Sequence, residues 1–277
     1  MSYRHKRVQR VRRLVARRSV RQSEGCVIVE GAKLLDVAMD AGVRVESVYL
    51  DPDLLRPEDS VAKRALGRAS TAGARVYELD EGVLARIADT VTPQPVLAVV
   101  EASERSLQAL CSERPDLLVV LVDVRDPGNA GAVVRAAEAA GAGGVVCCAG
   151  SADLSSPKAV RASAGAVFHL PVVAAGDPVV VLGQLSESGL KCVGAEVRGG
   201  VDYTTVDFTD RVAIVVGNEA HGLPEEVAEG LDAKVTIPMA GHSESLNVGM
   251  AAAVLTFEVA RQRRLAGHHR VESGAPA

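Results

Sequence analysis

Short β-branched runs alternate with stretches of helical periodicity along most of the chain. In the first half the pattern predicts strands over Cys26 to Glu30, Val45 to Leu50, Arg75 to Leu79 and Val96 to Val100. Helices are expected between them, over Ala32 to Ala41, Ser60 to Thr71 and Glu81 to Asp89, which makes a compact α/β unit. The charged stretch Glu101 to Asp116 ends in Arg114-Pro115-Asp116 and reads as a linker near 105 to 116, with a short helix around Leu107 to Cys111. Leu117 to Val122 then opens a second unit with a continuous apolar run, the mark of a strand covered on both faces in a parallel sheet. Further strands are expected at Gly144 to Cys148, Lys191 to Ala195, Val212 to Val216 and Lys234 to Ile237. Helices fill the gaps at Ala130 to Ala140, Ser156 to Ala162, Val179 to Ser188 and Leu246 to Leu265, and Ala266 to Ala277 reads as a frayed tail. Such alternation predicts a sheet with helices on both faces and ligands bound beyond the strand C-termini.

Composition narrows the classes. The chain of 277 residues is long enough for two domains. Its longest apolar stretch, from about Ala164 to Gly183, is broken by His169, Pro171, Asp177 and Pro178, and nothing else approaches the roughly 20 residues that span a bilayer. The basic N-terminus is not followed by a hydrophobic core and cleavage site, so the expectation is a cytoplasmic protein without a membrane helix. Five cysteines, with Cys147 and Cys148 adjacent and no C-x-x-C, suit neither a disulfide framework nor a zinc site, so no metal is expected.

The net charge of −4 conceals a segregation. Met1 to Gln22 carries Arg4, Lys6, Arg7, Arg10, Arg12, Arg13, Arg17, Arg18 and Arg21 and no acid. With those nine removed from 31 basic residues, 22 face 35 acidic ones, a net of −13 for the rest. An arm that lies on a polyanion has this footprint, although a solvated helix face or a localisation signal also would. Aromatics at 3% and no tryptophan argue against a base-stacking platform, leaving phosphates, shape and hydrogen bonds for recognition.

Three loops carry candidate chemistry. Asp126-Pro127-Gly128-Asn129-Ala130-Gly131 lacks the G-x-G-x-x-G spacing of dinucleotide enzymes. Pro127 and Gly128 force a turn, Asn129 reads as an N-cap, and Arg135 follows in the second helical turn among small apolar neighbours, either a snorkelling side chain or a charge held for a purpose. The second loop, Gly217-Asn218-Glu219-Ala220-His221-Gly222, brackets a carboxylate between glycines at a strand end, where it could touch a ligand or serve as a helix-terminus charge. The third runs from Ile237-Pro238-Met239 to Ser245-Leu246-Asn247 at the mouth of an alanine-rich helix, where Ser245 and Asn247 could cap the helix or bind a ligand.

In this order and spacing the three loops resemble the SpoU-type (TrmH-like) RNA 2′-O-ribose methyltransferases of the SPOUT superfamily, over about Leu117 to Leu265. Asn129 and Arg135 match the first motif, Gly217 and Glu219 the second, and Ile237, Pro238, Ser245, Leu246 and Asn247 the third. Pro157 to Gly165 and Phe168 to Val173 also look like the family, and Arg17 to Arg21 with Glu30-Gly31 resemble the start of its ribosomal-protein-like substrate-binding module. Gly249-Met250 and Gly241 to Glu244 depart from the family's pattern without touching a catalytic position.

The resemblance implies an α/β fold with a C-terminal parallel-sheet SPOUT domain tied in a deep trefoil knot, an exception to the usual absence of knots. It divides the chain into a basic RNA-binding arm (1–22), a smaller substrate-binding domain (23–104), the linker (105–116), the methyltransferase domain (117–265) and a tail (266–277). The implied cofactor is S-adenosylmethionine, lined by Ala195, Glu196, Gly217, Ile237, Pro238, Met239 and Leu246, and the implied assembly is a homodimer in which both subunits shape each site. Arg135, Asn129, Glu219, Ser245 and Asn247 form the implied catalytic set. A guanidinium hardly loses its proton, so stabilisation of a developing alkoxide suits Arg135 better than proton abstraction. Large-subunit ribosomal RNA is the expected substrate. The alternatives are transfer RNA and, in a different class, a non-catalytic RNA-binding or ribosome-assembly protein on the same fold.

Overall fold

The computed structural model describes residues 1–272 apart from 57 and 104. Two compact units divide it: 1–103 with 153–169, and 105–152 with 170–272.

The first unit begins with helices α1 (Lys6–Ala16) and α2 (Arg18–Glu24). The basic segment 1–22 is therefore helical. Val8, Val11 and Leu14 recur on one face of α1 and are wholly buried, with Ile28, Leu84 and Leu97, in the core of this unit. Arg10 donates to both Glu24 and Glu46, and the buried Arg21 donates to the carbonyls of Leu14 and Val15 and to the Asp153 carboxylate. Two of the nine cations are thus structural. There follow β1 (Cys26–Glu30), α3 (Ala32–Asp40), β2 (Val45–Leu50), α4 (Ser60–Thr71), β3 (Arg75–Glu78), α5 (Val83–Ile87) and β4 (Val96–Glu101). The strands lie in the order β1-β4-β2-β3; β4 pairs antiparallel with β1 and β2, and β3 parallel with β2.

The second unit starts earlier than the expected linker allows. In it α6 (Leu107–Ser112) buries Leu110 in the second core, so 105–116 is not a free connector. Then come β5 (Leu117–Leu121), α7 (Pro127–Ala139) and β6 (Gly144–Cys147). Next the chain leaves for the first unit, where α8 (Pro157–Ala162) packs on β1, buries Val160, and sends Arg161 to the buried Glu30 at 2.9 Å. The expected domain 117–265 is therefore interrupted by 153–169. Gly165 turns the chain after α8 with φ 88°, where a Cβ would stand 2.6 Å from Val37 Cγ1.

On its return the chain forms β7 (Val172–Ala174), α9 (Pro178–Glu187), β8 (Lys191–Ala195), β9 (Val201–Asp202), β10 (Val212–Val216), α10 (Glu225–Glu229), β11 (Ala233–Thr236) and α11 (Val248–Glu272). All seven strands pair parallel in the order β7-β6-β5-β10-β8-β11-β9. The apolar runs of β5 and β10 lie side by side and fully buried, as strands covered by helices on both faces require. The expected tail is shortened, because α11 continues to Glu272; the rest of that segment, 273–277, lies outside the described residues. Burial pushes the Cys148 and Cys192 thiols up to about 12, which leaves both protonated at neutral pH. No described helix is long and apolar enough to cross a membrane.

Candidate active site

β10, β8 and β11 are neighbours, so their carboxyl ends open onto a common space. A cleft lies there, with Ala195 and Glu196 at the end of β8, Gly217 and Glu219 after β10, and Ile237 and Met239 after β11. Ser245, Leu246 and Val248 close its remaining side. Of the residues expected to line a cofactor, Pro238 alone falls outside the lining. Gly222 and Glu244 line the cleft from within the second and third loops, and Val197 and Ala251 belong to the wall without any motif signal. Burial pushes the Glu196 carboxyl above its ordinary value, and the positive charge of Lys234 partly offsets this.

A polar relay crosses the rim. Asn129 Nδ2 donates to Glu219 Oε1 at 2.7 Å, and Asn129 Oδ1 accepts from Asn247 Nδ2 at 2.8 Å. Asn247 Oδ1 in turn accepts the Gly249 N–H at 2.9 Å, so this side chain caps α11 and reaches the site together. The three loops, up to 118 residues apart, meet at these two amides and one carboxylate. Asn129 is not the N-cap expected for it. Asp126 caps α7 by accepting the Asn129 N–H at 3.0 Å, and Pro127 takes the first helical position, which frees the Asn129 side chain for the relay.

Arg135 stands apart. It follows Asn129 by six residues, about 9 Å along the helix. Its side chain is exposed, is not part of the cleft wall, and has no hydrogen-bond or ion-pair partner among the described residues. Gly249, one of the departures from the family's pattern, has a packing reason: a Cβ there would lie 2.9 Å from Ala132 Cβ, where α7 meets α11. Met250 beside it is 62% exposed, and Phe257, two turns on along the same face, is 48% exposed.

A ligand cleft at the carboxyl edge of a doubly covered parallel sheet, rimmed by a carboxylate–amide–amide relay, sets the class: an α/β domain that binds its ligand beyond the strand ends. The SpoU rRNA Methylase family model matches residues 116–257, and an MRM3-like substrate binding domain model matches 5–98. The chain belongs to the SpoU rRNA methylase family. It is 31% identical over 84% of its length, and 87% of the relative's, to the 23S rRNA (guanosine(2553)-2′-O)-methyltransferase RlmP of Bacillus subtilis. It is likewise 31% identical to the 23S rRNA (uridine(2479)-2′-O)-methyltransferase of Streptomyces viridochromogenes, over 94% of this chain and 91% of that one. Among solved structures, the SpoU methyltransferase AviRb of that organism with AdoMet superposes with a TM-score of 0.84 at 30% identity, covering 94% and 99% of the two chains. An AdoMet-bound rRNA methyltransferase from Sinorhizobium meliloti gives 0.77 at 29%, covering 93% and 95%.

Proposed function

We propose that the protein transfers the methyl group of S-adenosylmethionine to a ribose 2′-hydroxyl of large-subunit ribosomal RNA in the cytoplasm. The observation that carries this reading is the meeting of Asn129, Glu219 and Asn247 at the rim of the cleft. The Bacillus subtilis and Streptomyces viridochromogenes relatives are 23S rRNA 2′-O-methyltransferases, and two structural neighbours hold AdoMet.

The cleft suits that cofactor. Its wall combines apolar side chains from β10, β11 and α11 with a few polar groups, the make-up usual for a site that takes a small organic ligand. Backbone groups around Gly217, Ile237 and Leu246 are available to an adenine, and the Glu196, Glu219 and Glu244 carboxylates face a ligand that carries positive charge. When bound, the cofactor supplies a methyl group on a sulfonium sulfur that needs no further activation. The chain's own task is to align the ribose oxygen and to stabilise the negative charge that develops on it as the methyl transfers from sulfur to oxygen and the hydroxyl proton passes to solvent. Glu219 and the two amides hold the ribose or the methionine end, Ser245 shapes the wall, and the Arg135 guanidinium, outside the wall of its own cleft, meets the developing alkoxide in the site of a second copy.

Gly217 tests the cleft directly. A Cβ there would lie 2.4 Å from the Gly222 carbonyl oxygen and 2.8 Å from the Leu223 nitrogen, so the loop must open to admit it. Gly217→Ala is expected to weaken S-adenosylmethionine binding about tenfold by calorimetry, the equivalent of about 1.4 kcal/mol of overpacking.

A homodimer is part of the proposal. Met250 and Phe257 give α11 an exposed apolar stripe, and Arg135 lies one turn beyond Ala132, the α7 residue that abuts Gly249. A second copy covering that stripe would receive the partnerless guanidinium. We also propose the deep trefoil knot implied for the C-terminal segment.

RNA binding is assigned to the remaining cations of α1 and α2. Arg13, Arg17 and Arg18 are exposed and have no carboxylate partner among the described residues, unlike Arg10 and Arg21. Replacing all three by alanine is expected to weaken RNA binding and to flatten log Kd against log salt by about 0.7–0.9 per lost phosphate contact, with cofactor affinity unchanged. An unchanged salt slope would move the RNA surface elsewhere.

The reading itself is tested by incubating the protein with methyl-labelled S-adenosylmethionine and ribosomal or transfer RNA, then mapping alkali-resistant linkages. Labelled 23S RNA supports it. Label in transfer RNA changes the substrate, and no transfer to either leaves a binding protein.

A further inference from the structure

We propose that Asn218 and Asp123 are a positioning pair that holds the Glu219 carboxylate in its reacting orientation. The proposal rests on the methyl-transfer reading above. Asp123 follows the buried end of β5 with φ 54°, a left-handed conformation uncommon for a residue with a side chain. It turns the chain so that both its carbonyl and its carboxylate face the loop after β10. Asn218 Nδ2 donates to Asp123 O at 3.0 Å and to Asp123 Oδ2 at 3.2 Å. Asn218 Oδ1 accepts the N–H groups of Ala220 and His221 at 2.9 and 3.2 Å. The Asn218 amide therefore uses both donors and both acceptor positions.

The backbone of Asn218 is equally committed. Its N–H donates to Gly222 O at 3.0 Å and its carbonyl accepts the Gly222 N–H at 2.9 Å, which closes the neck of a five-residue loop. Within this closed loop, Glu219 is the residue whose carboxylate accepts Asn129 Nδ2. Arg125 Nε holds the other Asp123 oxygen at 2.8 Å, and Gly150 brings its backbone so close that a Cβ would lie 3.0 Å from that oxygen. The pin is thus fixed from behind. Asp123 lies outside the cleft wall, and Asn218, though it lines the cleft, spends its side-chain amide on Asp123 and on the Ala220 and His221 N–H groups; the pair acts through Glu219, and through it on Asn129.

Loss of the pin leaves Glu219 on a loop whose Ala220 and His221 N–H groups have no acceptor, and misplacement of a reacting group by about 1 Å costs up to about 100-fold in rate. The experiment is a double-mutant cycle on the intact protein with labelled S-adenosylmethionine and 23S RNA. Asn218→Ala is expected to lower kcat about 10- to 100-fold, with KM for RNA and Kd for the cofactor within about threefold of the unaltered protein. In a Glu219→Ala background the same change should lower kcat by less than about twofold, because the group it positions is gone. A full independent loss in that background would mean a structural role and overturn the proposal, as would an unchanged kcat for Asn218→Ala.

Should Asn218→Ala not fold, Asn218→Asp serves instead. It keeps the acceptors for Ala220 and His221 but faces Asp123 with a like charge. Its kcat should fall, and adding Asp123→Asn should recover at least about threefold by restoring a donor–acceptor pair. No fall, or no recovery, overturns the proposal. Failure of the unaltered protein to transfer methyl would instead defeat the functional reading, so the two failures are distinguishable.

Discussion

Methyl transfer by the Arg135→Ala protein is expected to be about 10²- to 10³-fold slower than by the unaltered chain, with S-adenosylmethionine affinity unchanged. The expected size follows from what the guanidinium is asked to do. A ribose hydroxyl stays protonated at neutral pH, and a fixed cation beside its oxygen acts on the transition state, in which negative charge has begun to form. The effect should therefore fall on kcat. Arg135→Lys should recover only part of the rate, because an ammonium on a flexible stem lacks the guanidinium's planar fork. Position adds a sharper test. Arg135 is exposed, partnerless and absent from the wall of its own cleft. If it completes the site of a second copy, Arg135→Ala and Asn129→Ala chains, each inactive alone, should regain activity when mixed and allowed to exchange subunits. In such a mixed dimer one site has both an intact Asn129 and the partner's arginine. An unimpaired Arg135→Ala enzyme would remove this residue from the reaction, and failure of complementation would confine it to its own subunit.

What could be read from the chain follows from the range of the interactions involved. The strands Val212–Val216 and Lys191–Ala195 and the helix Ser60–Thr71 coincide with their expected limits, because the signals that bound them are local. β7 and β9, of three and two residues, are too short to carry a period along the sequence. The N-terminal helices were hidden for a different reason. The arginines around Val8, Val11 and Leu14 dominate the composition, and three apolar positions at helical spacing were outweighed by nine charges. The excursion of 153–169 into the first unit leaves no local trace; it depends on Arg21 meeting Asp153 across 132 residues and Arg161 meeting Glu30 across 131.

The site shows the same division. Its three loops were evident from residue type and spacing, but the hydrogen bonds that unite them belong to the tertiary structure. Asn129 illustrates the limit. Asp126 and Asn129 are both good capping residues, and Pro127 between them decides the matter by taking the first position of α7. Asp123 and Asn218 carry no signal that distinguishes them from ordinary turn residues.

Arg21→Ala is expected to destabilise the first unit by about 3 kcal/mol, whereas Arg18→Ala, three residues earlier on the same helix, should stay within about 0.5 kcal/mol. The two arginines have the same charge and opposite surroundings. Arg18 is exposed; Arg21 is 4% exposed and joins α2 to the end of α1 through two carbonyls and to the 153–169 segment through Asp153 and Ser155. Its removal strands a carboxylate that is itself largely out of water. Burial would by itself push the Asp153 carboxyl up, yet hydrogen bonds from Ser155 and Arg21 together hold it below the usual carboxylate range. A carboxyl whose pKa is lower in the folded state contributes stability above its unfolded pKa and loses it as the pH falls through the folded value. Urea unfolding of the unaltered protein should therefore show this contribution at neutral pH and its loss in acid. The Arg21→Ala protein should show a flatter profile over the same range. Equal midpoints for the two alanine variants at neutral pH would mean that Arg21 is a surface cation and would return it to the RNA-binding set.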